Sequence, residues 1–232
     1  GRQLLRAHRG AAERGRAEHA LQRQAAMGEA ASGVSGFYAA RSAEGALLQR
    51  AEVACVELVV RRFPRARRVY EIGSGLGVMT TLLAVRGFDA VGVEQNAARH
   101  GTSVAIAEAV ALRKPHIKGT AKFVHGLYPD KLPQDRSTGS SIALLTNLLG
   151  SASDDKQTPL IEALAGFKAV IVDMQRFYDR RTSSAEIDAL SRRFQKAGFA
   201  APEQAFDLGD DGRYFLFHRT VAGQPALKTL RA

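Results

Sequence analysis

Apolar positions along the chain switch repeatedly between a period near 3.6 and short β-branched runs. "AEGALLQRAEVACVELVVRRF", residues 43–63, predicts an amphipathic helix that Pro64 stops. "RRVYEI" predicts a strand, "VMTTLLAVRG" a helix closed by Gly87, and "AVGVE" a second strand. A helix in "NAARHGTSVAIAEAVAL" follows, then strands in "AKFVHG" and "SIALLTN". "KQTPLIEALAG" predicts a helix and "KAVIVDM" a fifth strand. "SSAEIDALSRRFQKAG" predicts a helix capped by Ser183 or Ser184. "EQAFDLGDDGRYFLFHR" predicts two strands around an Asp210-Asp211-Gly212 turn.

Strand–helix alternation implies an α/β fold with a doubly wound, mostly parallel sheet. The closing pair brings the strands to seven and adds an antiparallel hairpin. Residues 1–30, rich in Ala, Arg, Glu and Gln, predict a helical extension with a thin apolar stripe. "ASGVSGFYAARSAEG" breaks that extension with glycines around Phe37 and Tyr38. The expected organisation is an N-terminal extension and lid over residues 1–44 and one α/β domain over residues 45–232. The first helix, needing a partner for its stripe, is a candidate for homo-oligomer contact.

Composition narrows the class. With 232 residues and 45% hydrophobic content the chain is long enough to bury a substantial core. The single Cys55 rules out a disulfide framework within one chain and reads as a small buried hydrophobe. No apolar run is long enough to span a bilayer, and no signal peptide opens the chain, so a cytoplasmic location is expected. That expectation is tempered by a first residue, Gly1, that is not Met. The histidines show no metal-ligand spacing, so no metal is expected. The formal charge of +10 would attract nucleic acid, anionic lipid or an acidic substrate. No unbroken Lys/Arg block of five and no aromatic RNA-binding signature accompanies it, which favours a generally basic surface.

The candidate chemistry lies in "VYEIGSGLGVMT", Val69 to Thr80. A triphosphate loop needs a Lys after its glycines, and no basic residue follows until Arg86. The dinucleotide fingerprint needs glycine at position 78, but the third glycine is Gly77. Glu71, two residues before Gly73, repels a diphosphate and attracts a cation. Glu94 ends the second strand, where a carboxylate can accept from both hydroxyls of a ribose.

"EIGSGLG" resembles motif I of the class I S-adenosylmethionine-dependent methyltransferases, and the resemblance extends over about residues 45–220 through the closing hairpin. It implies that S-adenosylmethionine is held by Glu71, Gly73, Ser74, Gly75, Gly77, Glu94 and Gln95. Where many relatives place an adenine-binding acid, this chain has "FVHGLYPD", so backbone groups of Gly126 and Leu127 would serve. Asn147, in "LLTNLLGS", falls where relatives touch cofactor or substrate. The signature of amino-group methylation on bases or glutamine is absent, as is the Pro-Cys pair of cytosine-C5 chemistry.

Asp173 ends the fifth strand and is a candidate base or substrate anchor; capping or pairing with Arg180 is the alternative. His125 is a second candidate base, against a packing role. Tyr38, Arg41 and Tyr178 are candidate substrate or lid residues. The expected activity is methyl transfer to oxygen or nitrogen of a small molecule. Its rivals are an RNA or DNA methyltransferase and a non-catalytic cofactor-binding interaction protein. A nicotinamide dehydrogenase is a further rival, for which no NAD affinity is expected.

Overall fold

The computed structural model describes residues 50–66, 68–131, 140–146, 148, 154–173, 183–207 and 213–220. Helix α1 spans Arg50–Arg62 and ends where Phe63 N–H bonds Val59 C=O, one residue before Pro64. Strand β1, Arg68–Ile72, leads through the glycine loop into α2, Val78–Val85. Next come β2, Asp89–Glu94, α3, Ala97–Arg113, and β3, Thr120–His125. Strand β4, Ser141–Leu145, is followed by α4, Asp154–Ala163, which tightens into a 3-10 turn at Leu164–Gly166. Strand β5, Ala169–Asp173, precedes α5, Ser184–Lys196. The hairpin strands are β6, Glu203–Asp207, and β7, Arg213–His218.

The seven strands lie in the order β3-β2-β1-β4-β5-β7-β6. Strands β1 to β5 pair in parallel, and β7 runs antiparallel between β5 and β6. The doubly wound sheet and antiparallel ending expected from the sequence are both present.

Period-two alternation sorts each strand's residues between two cores. Val69, Ile142, Leu144, Ile171 and Leu216 face α1 and α2, where they meet Val59, Met79 and Leu83. Tyr70, Ile72, Leu145, Val172 and Phe217 face the other way, against Ile161, Phe167 and Phe194 of the α4–α5 layer. Helix α3 joins α2 through Leu76, Val78, Ile106 and Val110. The same alternation puts Glu71 on the face of Val69, Asp173 on the face of Ile171, and Tyr214 on the face of Leu216. Three polar groups therefore reach the α1 side at the carboxyl ends of the strands, the end where open α/β sheets hold ligands. No helix among the described residues is long and apolar enough to cross a membrane.

Candidate functional site: the glycine loop and the carboxyl ends of the strands

The loop after β1 is bound to β2 by its own backbone. Gly73 and Ser74 N–H both donate to Val93 C=O, at 2.9 and 3.0 Å, and Gly77 N–H donates to Ser74 C=O at 2.8 Å. Gly73, Gly75 and Gly77 have φ of 75°, 54° and 68°, the left-handed region that side chains rarely adopt. A Cβ on Gly77 would stand 2.3 Å from the Phe123 ring and 2.7 Å from Ser103 Cβ. Gly77 thus lets α2 seat closely on β3 and α3. The clash it avoids is with the protein's own interior.

Glu94 ties the loop to the end of β2. Its Oε2 accepts from Gly75 N–H and its Oε1 from Asn96 N–H, both at 2.8 Å. Each carboxylate oxygen has a further lone pair, so acceptor capacity for hydroxyls remains. Asn96 caps α3, its side chain accepting from Arg99 N–H.

Glu71 lies beneath the loop, 4% exposed. Its Oε2 accepts from Thr80 N–H at 2.9 Å and Thr80 Oγ1 at 2.5 Å. Burial pushes the carboxyl up to about 8, while the two Thr80 donors pull the other way. The sequence signals Thr80 only faintly, as a hydroxyl in the first turn after a glycine loop. Ser74 Oγ is buried in the loop and takes no hydrogen bond from the described residues.

Asp173 is 3% exposed and stands opposite Tyr214 in the β5–β7 register. Burial, then the charges of Asp173 and its neighbours, push the Tyr214 phenol well above its ordinary value. Burial, then Glu71, Asp173 and Glu52, raise the Cys55 thiol. Cys55 is wholly buried and stays a thiol, a packing residue. Glu52, Cys55, Glu71, Asp173 and Tyr214 thus form one neighbourhood between α1 and the sheet.

His125 is elsewhere. Its Nε2 lies 3.1 Å from Gln95 C=O, and its ring stands 5.4 Å from that of His100. Four strand spacings of about 4.8 Å separate β3 from β5, so His125 and Asp173 stand roughly 19 Å apart across the sheet. The two candidate bases are not brought to one acceptor atom. Gly126 N–H donates to Glu94 C=O at 2.9 Å, which joins the ends of β2 and β3. Leu127, next in the chain, is 56% exposed there. Tyr38, Arg41, Asn147 and Tyr178 lie outside the described residues. No group of three His, Cys, Asp or Glu that could hold a metal occurs among the described residues.

No protein-family model and no curated protein sequence matches the chain. Solved structures do. The magnesium protoporphyrin IX methyltransferase of Synechocystis PCC 6803, with bound S-adenosylmethionine, is 15% identical with a TM-score of 0.56 over 74% of this chain and 79% of that one. A TehB-like methyltransferase of Corynebacterium glutamicum is 14% identical at a TM-score of 0.53, over 72% and 88%. The N-terminal domain of EvdMO1, with bound S-adenosylhomocysteine, is 15% identical at a TM-score of 0.54, over 76% and 84%. The likeness is one of fold, and this chain has the fold of the class I S-adenosylmethionine-dependent methyltransferases.

Proposed function

We propose that the chain is an S-adenosylmethionine-dependent methyltransferase that methylates oxygen or nitrogen of a small molecule. The observation that carries this reading is the bond from Gly75 N–H to Glu94, which sets a glycine loop against a ribose-accepting carboxylate above a buried Glu71. The residues fit the cofactor. Glu94 has acceptor capacity left for ribose hydroxyls, Ser74 Oγ has no partner among the described residues, and Leu127 offers an apolar surface beside Gln95 and Gly126. Glu71 would meet the ammonium of the methionine part, and a cation there favours the ionised carboxylate.

When bound, the cofactor supplies an electrophilic methyl group on a sulfonium. The chain's own work is to orient the acceptor and keep out water. Asp173, on the α1 side of β5, would anchor the acceptor or take its proton. The buried acids Glu71, Glu94 and Asp173 at this end suit a neutral or cationic acceptor better than a polyanion.

Production of S-adenosylhomocysteine from pools of small alcohols, phenols and amines tests the reading. Wild type is expected to turn over at least one pool. Asp173→Asn is expected to slow transfer by about 100-fold with cofactor affinity unchanged. Turnover only with RNA or DNA would favour the nucleic-acid reading. Cofactor binding without product from any pool would favour a binding protein that does no chemistry.

A further inference from the structure

In a parallel sheet the loops that lead into the strands all gather at the amino edge, opposite the ligand end. Here that edge collects the exposed Arg61 and Arg65 before β1, Arg113 and Lys118 before β3, and Lys168 before β5. Lys196, in the last turn of α5, adds to them. The acids at the same edge are largely engaged. Glu203 accepts two hydrogen bonds from Arg62, at 2.5 and 3.0 Å, and Glu57 pairs with Arg86. Asp89, which accepts from Thr120 Oγ1 at 2.7 Å, and Glu162 keep their charges, fewer than the cations around them. At the other end stand the buried acids Glu71, Glu94 and Asp173. Among the described residues, the positive charge of this chain is concentrated at the edge remote from the glycine loop.

We propose that this amino edge binds the phosphate backbone of double-stranded nucleic acid, as a docking surface separate from the site of methyl transfer. Six strand spacings of about 4.8 Å give the edge a width of roughly 29 Å, the length of about eight base pairs. Three of the exposed cations named, Arg65, Lys118 and Lys168, lie on the loops that cross it, and Arg61, Arg113 and Lys196 close the helices that lead into those loops. Guanidinium groups match phosphate oxygens two at a time. A membrane surface fits less well. The large apolar side chains at this edge, Phe63, Phe88 and Phe167, are buried, and the lone exposed Leu112 is no apolar face to insert. The proposal does not depend on methyl transfer. A backbone held here stands a full strand length from Asp173.

The test is fluorescence anisotropy of the full chain with a labelled duplex of about 20 base pairs, as DNA and as RNA, from about 50 to about 200 mM salt. Wild type is expected to bind at least one duplex, losing about tenfold or more in affinity across that range. Arg61→Glu/Arg65→Glu/Lys118→Glu/Lys168→Glu is expected to weaken binding at least tenfold. On DNA it should flatten the salt slope by about 3 to 4, roughly 0.9 per lost contact. S-adenosylhomocysteine affinity and melting temperature should stay as in wild type. If the fourfold variant is unfolded, Arg61→Glu/Lys168→Glu should give about half the loss of slope. A folded variant that binds as wild type overturns the proposal. So does a wild type that binds vesicles of phosphatidylserine and phosphatidylcholine but neither duplex.

Discussion

Glu71 carries the most consequence for its size. Burial lifts its carboxyl from an ordinary 4.5 to about 8, so the folded chain holds that proton more tightly than the unfolded chain does. Its contribution to stability is complete below about pH 4.5 and is lost as pH rises through about 8. Glu71→Gln keeps an acceptor for Thr80 and removes the titration. Thermal melts of the cofactor-free protein from about pH 5 to about pH 9 should show wild type losing stability relative to Glu71→Gln. The two curves should separate by more than about 1.4 kcal/mol, the worth of one pKa unit. Parallel curves would mean that Glu71 is already ionised in the cofactor-free protein. The sequence offered this residue because an acid two places before a glycine loop is a local pattern. Its hold on Thr80, nine residues later, required the loop's actual path. Gly77 teaches the complementary lesson. Its place in the motif was legible, while the Phe123 ring that forbids a side chain there comes from a strand 46 residues away (123 minus 77).

Among the elements, α5 was readable down to its cap. Two serines competed for the N-cap, and Ser183 takes it. Its Oγ accepts from Glu186 N–H, and the Glu186 carboxylate accepts from Ser183 N–H at 2.8 Å. Ser183→Ala should cost about 1 kcal/mol in chemical denaturation. Ser184→Ala, at the first helical position, should stay within about 0.5 kcal/mol. Equal losses would contradict the capping assignment. Other boundaries were less legible. The expected end of α4 at Gly166 becomes a 3-10 turn, in which Phe167 N–H bonds Leu164 C=O so that its ring reaches Tyr70. The register shift between Gln204 and Phe206 reflects pairing with β7, which no pattern within β6 reveals. Local capping chemistry is written in adjacent residues, whereas a bulge is set by the partner strand.

For the whole molecule, alternation of strands and helices established the layers and the hairpin. It did not say where the strand order turns back on itself. That reversal, between β1 and β4, is visible only in the structure, and it places the glycine loop at the ligand crevice. The net charge was equally plain from composition, but the gathering of cations of the described residues at the amino edge depends on which loops the sheet brings there. The two ends of the molecule consequently suit different ligands, a cationic sulfonium cofactor at one and phosphate at the other. The claim on which the functional account rests is the first of these. Calorimetric titration with S-adenosylhomocysteine tests it most directly, on wild type and on Gly75→Val, with melting curves as the folding control. Gly75 has φ of 54°, where a β-branched residue is strained, and its N–H holds Glu94. The account predicts saturable binding by wild type, no heat with NAD, and affinity lower by roughly 10- to 100-fold in the folded variant. A wild type that fails to bind, or a folded Gly75→Val that binds equally well, would contradict it.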